Sequence, residues 1–158
     1  YCHTVVATRE RGLRVCTHLI VGLPGEGREM MLETLARVRE VGMDGIKLHP
    51  LHVVRHTMLA HEWRKGGIDL LTQPEYVSLV CDMLERMPAN WVIHRLTGTA
   101  SEDLLLAPGW CTRKWAVIND IYAEMHRRGS SQGSAIEDSG QIPLAYDLGK
   151  HLHRAACC

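Results

Sequence analysis

The sequence lacks several features that would place a protein in a class at once. It has no excess of charge, because 18 lysines and arginines balance 18 aspartates and glutamates, so no overall field attracts nucleic acid or an anionic membrane. No apolar run is long enough to span a bilayer, and no charged-then-apolar leader opens the chain. These absences predict a cytoplasmic protein without a membrane partner, and nucleic acid is not indicated. Its 158 residues suffice for one domain with a hydrophobic core.

The six cysteines lack the spacing of a metal or redox motif. Only Cys157 and Cys158 are adjacent, and none of the six belongs to a CxxC or CxxxCxxC pattern. Scattered thiols in a chain without a leader are typical of a reducing compartment, where free cysteine packs as a small apolar residue. The chain opens at Tyr1 rather than at methionine, which indicates either a processed start or an excerpt of a longer protein.

What the sequence does contain is an alternation of strand and helix signals. Apolar, β-branched segments predict strands over 14–21, 45–51 and 91–96. Apolar residues at helical spacing predict helices between them, and Thr72 to Glu75 reads as a capping box with a proline in the first turn. The order β-α-β-α-α-β-α predicts an α/β fold with parallel strands. The near-continuous apolar run of the first strand predicts that both of its faces are covered.

The last helix is predicted over 110–127. Its spacing predicts that four side chains are buried: Trp115, Ile118, Tyr122 and Met125. In an alternative interpretation, Trp110, Trp115 and Tyr122 form a platform on which bases stack. After Gly129 the signal weakens, and a poorly ordered tail is predicted over 137–158.

Three segments together resemble one family: GLRVCTHLIVGLPGE over 12–26, DGIKLHPLHV over 44–53 and LLAPGWC over 105–111. They resemble the bacterial radical S-adenosylmethionine (SAM) proteins of the YhcC type, which are similar to oxygen-independent coproporphyrinogen oxidases and elongator-type radical SAM proteins. The resemblance implies the C-terminal part of a partial (β/α)6 barrel over residues 1–100, with 16–21 and 46–51 as its fifth and sixth strands. It also implies a helical C-terminal extension over 101–136.

The resemblance implies four contacts with SAM, at Ile20, Gly22, Leu51 and His52. Ile20 would pack on the adenine ring, and Gly22 would let the backbone approach the ligand because it has no Cβ. Leu51 and His52 would bond the adenine edge through backbone groups. His18 replaces the first glycine of the family's fifth-strand motif.

A [4Fe-4S] cluster is also implied, but in the full-length parent protein only. The cluster ligands of the family lie in an early loop that this chain does not contain, and three thiolates from one compact loop are needed to leave an iron open for SAM. The parent would cleave SAM reductively and abstract hydrogen from a substrate that the resemblance does not name. The 158 residues alone are therefore expected to be inactive.

Two further hypotheses about function stay open. His49, His52 and His56 form the pattern HxxHxxxH, and their imidazoles could hold zinc with one position left for water. The protein would then be a metal-dependent barrel hydrolase, although one or two of these histidines lining a substrate cavity fits the pattern as well. The third hypothesis is an inactive truncated product.

Two segments each admit two interpretations. Gly22 to Gly27 could be a phosphate-binding loop before a helix, but it lacks the Gly-Lys-Ser/Thr ending and contains Glu26, so a tight βα turn is the alternative. At the end of the third strand, His94, Arg95 and Thr97 either face a substrate or form a solvated strand end.

Overall fold

The computed structural model describes residues 1–136, and the predicted tail over 137–158 lies outside the described residues. Helices and strands alternate in the predicted order, with two short strands added. The elements are α1 (Cys2–Glu10), β1 (Cys16–Val21), α2 (Arg28–Val41), β2 (Gly45–Pro50), β3 (Val53–Val54), α3 (Met58–Arg64), α4 (Gln73–Glu85), β4 (Val92–Arg95), β5 (Leu105–Ala107), a 3-10 helix (Gly109–Thr112) and α5 (Lys114–Arg128). Within residues 1–136, no helix combines the length and the apolar composition that crossing a membrane requires.

The three predicted strands form one parallel sheet in the order β1-β2-β4. β1 and β2 pair along their whole length, from Cys16 opposite Gly45 to Val21 opposite Pro50. β4 pairs with the other edge of β2, and the register shifts between Ile46 and Lys47. The strand order advances in one direction only, which is the winding of a barrel wall rather than of a doubly wound sheet.

One face of this sheet is packed against helices, and this packing makes the core. Val21 of β1 and Ile46 and Leu48 of β2 are buried in the same cluster as side chains of α1, α2, α4 and α5. In α2 the predicted period holds, because Met31, Leu35, Val38 and Val41 are the buried residues. The helices that follow β1 and precede β4 thus lie on the same side of the sheet, as a barrel requires.

Helix α4 lies at the centre of this core and is the most deeply buried helix. Eight of its residues are buried: Tyr76, Val77, Leu79, Val80, Cys81, Asp82, Met83 and Leu84. Its start is fixed by the predicted capping box. The backbone N–H of Thr72 donates to Glu75 Oε2 at 2.8 Å, the Thr72 hydroxyl accepts from the Glu75 backbone, and Pro74 fills the first turn. The first free N–H groups of the helix are thereby satisfied.

A group of charged side chains joins α5 to α4 at the far end of the core. Arg128 donates to Asp82 at 2.8 Å and to Glu85 at 3.2 Å, both on α4, and to Glu124 at 2.8 Å on its own helix. The two carboxylates of α4 are mostly shielded from solvent. Because a shielded carboxylate is costly without a partner, this arrangement fixes how α5 lies on α4.

The predicted buried face of α5 was correct only in part. Ile118 and Met125 are half-buried, and Met125 packs against the core. The structure buries Val117 and Ile121, whereas Trp115 is 72% exposed and Tyr122 is 66% exposed. The helix begins at Lys114, after a separate 3-10 turn, and its inward face is set by the ion pairs of Arg128 and by contact with α4. Trp110 belongs to the 3-10 turn, where its ring lies 5.1 Å from that of Tyr76 and its Nε1 donates to the Leu71 carbonyl at 3.0 Å.

The structure contains a second, antiparallel sheet of two strands that was not predicted from the sequence. β3 pairs with β5, with Val53 opposite Ala107 and Val54 opposite Leu105. Val53, Ala60 and Ala107 form a small core of their own under α3. These strands contain two and three residues, too few for a period to be recognised, and their pairing joins segments about fifty residues apart.

The matched pair Ile121 and Tyr122 tests the observed face of α5. Ile121→Ala should lower the free energy of unfolding by about 2–5 kcal/mol, because a fully buried side chain leaves a cavity. Tyr122→Ala should change it by no more than about 0.5 kcal/mol, because its side chain is mostly in solvent. Urea unfolding of both variants measures the difference, and an equal or larger loss for Tyr122→Ala would contradict the assigned face.

Candidate functional site

The second face of the parallel sheet is left open by the described residues. Along β1, Thr17 and Val21 are buried towards the helices, while Cys16, His18 and Ile20 are exposed on the opposite face. The prediction that both faces of this strand are covered was therefore wrong for residues 1–136. Ile20 is the clearest sign of this, because its apolar side chain is 47% exposed.

The ends of β1 and β2 lie side by side at the edge of this open face. Ile20 pairs with His49 and Val21 with Pro50, and the backbone N–H of Leu51 donates to the Val21 carbonyl at 2.9 Å. Residues that pair in a parallel ladder project to the same side of the sheet. Ile20 and His49 therefore share the open face at the carboxyl ends of their strands, where barrel enzymes place their chemistry.

On the helix side, the same strand ends are filled by packed side chains. The cavity between them measures about 10 Å³, and its lining includes Leu71, Tyr76 and Trp110. That is room for a single water molecule at most. Gly22 takes φ +90°, and a Cβ there would meet Leu71 Cδ1 at 3.0 Å. A planar ligand at these strand ends therefore has space on the open face only.

Three histidine rings form a chain across the open face. The ring centroids of His18 and His49 are 5.6 Å apart, and those of His49 and His52 are 4.4 Å apart. Nδ1 of His49 donates to the Pro50 carbonyl at 2.8 Å, which leaves Nε2 as the free ring nitrogen. The ring lies against Gly98, where an added Cβ would come within 2.2 Å of His49 Nε2. A side chain at position 98 would overlap the His49 ring, so this position requires glycine.

His52 is the most shielded of the three histidines. Its Nε2 is buried, with no hydrogen-bond partner among residues 1–136. Burial, and then the neighbouring His49, lower the pKa of His52 to about 4, against the opposing effect of a hydrogen bond with the backbone of Gly98. The ring is therefore neutral near pH 7.

The pKa of His18 is also lowered. The first cause is burial, followed by the positive charges of His49, Arg95 and Lys47. These basic side chains belong to β2, which pairs with β1, and to β4 beyond it.

The structure brings together some of the predicted site residues and separates others. Ile20, Leu51 and His52 lie at the joined strand ends with His49, while His56 lies in the turn before α3 with φ 63°. The HxxHxxxH pattern therefore does not converge, and no group of three or more His, Cys, Asp or Glu side chains within residues 1–136 is placed to hold a metal ion.

Other residues at this face were not predicted from the sequence as part of the site. Gly98 and Lys47 were missed, and His18 was noted only as a departure from a motif. Alternation along each strand was the available signal for Lys47 and His18, whereas nothing in the sequence marks Gly98. The ring of His94 lies against Gly45, where a Cβ would meet it at 2.9 Å.

The low pKa of His52 predicts a pH-dependent stability. Between about pH 6.5 and pH 4 the unfolded chain binds a proton at His52 that the folded chain does not, so the free energy of unfolding should fall as the pH drops through this window. His52→Gln should flatten this dependence, as measured by urea unfolding at pH 7, 5.5 and 4.5. His126→Gln, at an exposed position of α5, is the control. Identical slopes for His52→Gln and the unsubstituted protein would contradict the assignment.

Comparison of the sequence with known proteins identifies a family and several relatives. The family model of the Radical_SAM C-terminal domain matches residues 43–127. YtqA of Bacillus subtilis is 42% identical over 133 residues, which cover 84% of this chain and 41% of YtqA. YhcC of Escherichia coli is 41% identical over 136 residues, which cover 86% of this chain and 44% of YhcC. The chain thus spans less than half the length of these curated relatives.

A solved structure shares the fold. The archaeal Methanocaldococcus infernus Elp3 with an N-terminal deletion superposes with a TM-score of 0.69 at 20% identity, over 82% of this chain and 31% of that one. This likeness confirms the predicted α/β fold with the partial-barrel arrangement of its parallel strands. The family match covers more than half of the chain and includes β2, β4 and the helices between and after them. The chain belongs to the Radical_SAM C-terminal domain family.

Proposed function

We propose that this chain supplies the adenine-binding side of the SAM site in a radical SAM enzyme. The observation that carries the proposal is the exposed apolar side chain of Ile20 beside His49, at the joined carboxyl ends of β1 and β2. SAM beside a reduced [4Fe-4S] cluster would supply the radical chemistry for hydrogen abstraction from a substrate. The residues of this chain bind and orient the adenine and exclude water from it.

The contacts follow from what the strand ends leave free. Ile20 offers an apolar surface of the right kind for one face of a purine, on the side of the sheet that has space. The N–H of Leu51 is already bonded to Val21, so the adenine edge would pair with the Leu51 carbonyl and the His52 backbone. A carbonyl accepts from the exocyclic amino group of adenine, and an N–H donates to a ring nitrogen.

His52 and Gly22 would have supporting roles. The side chain of His52 would add no charge beside the adenine, because its lowered pKa keeps the ring neutral near pH 7. Its Nε2 is covered by the surrounding residues, so the ligand contact of this residue would be made by its backbone. Glycine is required at position 22 because the backbone there has a positive φ and because a Cβ would press against Leu71. A ligand contact at this residue stays a prediction.

The cysteines of the described residues do not fit the cluster. Cys2 and Cys16 are exposed, whereas Cys81 and Cys111 are buried. Burial raises the pKa of the Cys81 thiol to about 11, with smaller effects from Arg128 and nearby carboxylates, and raises that of Cys111 to about 12. Thiols of this kind resist the deprotonation that iron ligation needs. We accordingly assign the cluster to a part of the protein other than residues 1–136. We also assign the enzyme to the cytoplasm.

Substitution of Ile20 tests the adenine slot, by which we mean the apolar surface of Ile20 beside the strand end at Leu51. Ile20→Asp, in the protein encoded by the complete gene, should weaken SAM binding about tenfold or more, because a carboxylate would face an apolar ring. Equilibrium dialysis with SAM measures the affinity. Val92→Asp is the matched control, since Val92 is a β-branched residue of the same sheet and is 52% exposed, at the opposite end of its strand. Unchanged SAM affinity for Ile20→Asp would remove this residue from the site.

Anaerobic reconstitution tests the assignment of the cluster. The 158-residue chain, incubated with iron and sulfide, should show no stable [4Fe-4S] absorption after desalting, because its thiols are scattered and two are buried. A stoichiometric cluster spectrum that survives desalting would contradict this prediction. The protein from the complete gene serves as the positive control.

A further inference from the structure

The open face of the sheet concentrates positive charge although the chain as a whole is neutral. The strands β1, β2 and β4 contain no aspartate or glutamate. They contribute five basic or imidazole side chains instead: His18, Lys47, His49, His94 and Arg95. The 18 acidic residues that balance the 18 basic ones must therefore lie outside these strands. A charge distribution of this kind attracts anions to one place.

Three of these side chains form a row across the sheet. His18 pairs with Lys47, and Lys47 pairs with Arg95. Strands in a sheet are about 4.8 Å apart, so the row, here named the basic row (His18, Lys47, Arg95), extends over about 10 Å. Both Arg95 and Lys47 lower the pKa of His18, after burial and His49, so both charges act at His18.

The two cations of the basic row have no acidic partner in the described part of the chain. Other arginines do have one, such as Arg9 with Asp44 at 2.9 Å and Arg128 with three carboxylates. The side chains of Lys47 and Arg95 make no hydrogen bond or ion pair within residues 1–136, although Lys47 is partly buried. Cations placed together on a partly covered surface repel one another unless an anion lies between them.

We propose that the basic row binds an oxyanion of the substrate, either a carboxylate or a phosphate. This inference rests on the proposed function, since only in an assembled SAM site does the open face become the inner wall of the cavity. The planar guanidinium of Arg95 can bond two oxygens of one anionic group, while Lys47 adds a compact charge and His18 a ring N–H.

The basic row is separate from the proposed adenine slot. His18 precedes Ile20 by two residues on β1, and Lys47 precedes His49 by two on β2, so the row lies about 7 Å further towards the strand starts. An anionic substrate held there would lie beneath the adenine rather than compete with it. The basic row thus specifies acidic molecules as the substrate class, which the adenine slot by itself does not specify.

The test uses inorganic phosphate and acetate as probes on the protein encoded by the complete gene, in which the open face would be the inner wall of the cavity. Each is added against sodium chloride at constant ionic strength, which removes unspecific screening effects. The imidazole resonance of His18, followed by NMR, should shift and saturate. The variant Lys47→Met with Arg95→Met should bind phosphate at least about tenfold more weakly, as the loss of charge-assisted hydrogen bonds predicts.

A matched control removes the same charge elsewhere. Lys114→Met with Arg64→Met takes one lysine and one arginine from exposed helix positions, and should leave phosphate binding unchanged. Arg95→Gln alone, at an exposed strand end, keeps the test valid if the double variant does not fold, and should weaken binding several-fold. Equal phosphate affinity in all variants, or no saturable shift of His18, would overturn the proposal.

Two nucleosides distinguish a substrate anion from the carboxylate of SAM itself. If the basic row serves the substrate, neither SAM nor methylthioadenosine, which lacks the amino-acid group, should change the affinity for phosphate. Competition by SAM but not by methylthioadenosine would overturn the proposal, because the row would then hold the SAM carboxylate. Retained phosphate binding together with no binding of methylthioadenosine would instead count against the adenine slot.

Discussion

The parallel ladder between β1 and β2 is the constraint on which the rest of the structure depends. It sets Ile20 opposite His49 and Val21 opposite Pro50, and it continues past the strands through the bond from Leu51 N–H to the Val21 carbonyl. A shift of one residue would exchange the two faces of β1 and would turn His18 and Ile20 into the helix layer. The same register therefore decides which side chains build the core and which form the candidate site.

The two faces of the sheet have different physical roles. Towards the helices, Ile46 and Leu48 are fully buried and the space at the strand ends is almost filled, so this side contributes stability. The other face carries imidazoles, a lysine and an arginine beside one exposed isoleucine. Such a face is unfavourable as a protein core but suitable as the wall of a polar cavity with an apolar slot at its rim. The separation of the adenine slot from the basic row follows from strand geometry alone.

Local signals were reliable where they were strong, and failed where tertiary contacts decided. The capping box at Thr72 and the period of α2 were predicted and are found, because each is a property of a few neighbouring residues. The inward face of α5 was predicted only in part, because several faces of that helix carry apolar residues. The ion pairs of Arg128 with α4 select the face with Val117 and Ile121. β3 and β5 were missed because each is stabilised by the other and not by its own sequence.

The sequence by itself determined the α/β alternation and the parallel strands, since both follow from local patterns. It also determined the family and the neighbourhood of Ile20 with Leu51, through the three segments that carry the family resemblance. Only the tertiary structure decided that His18 and His52 flank His49 while His56 lies apart. It also decided that Gly98 leaves space for the His49 ring, and that the basic side chains of three strands share one face. The physical reason is that hydrophobic periodicity specifies which side of an element is buried, whereas the pairing of distant strands specifies which side chains meet.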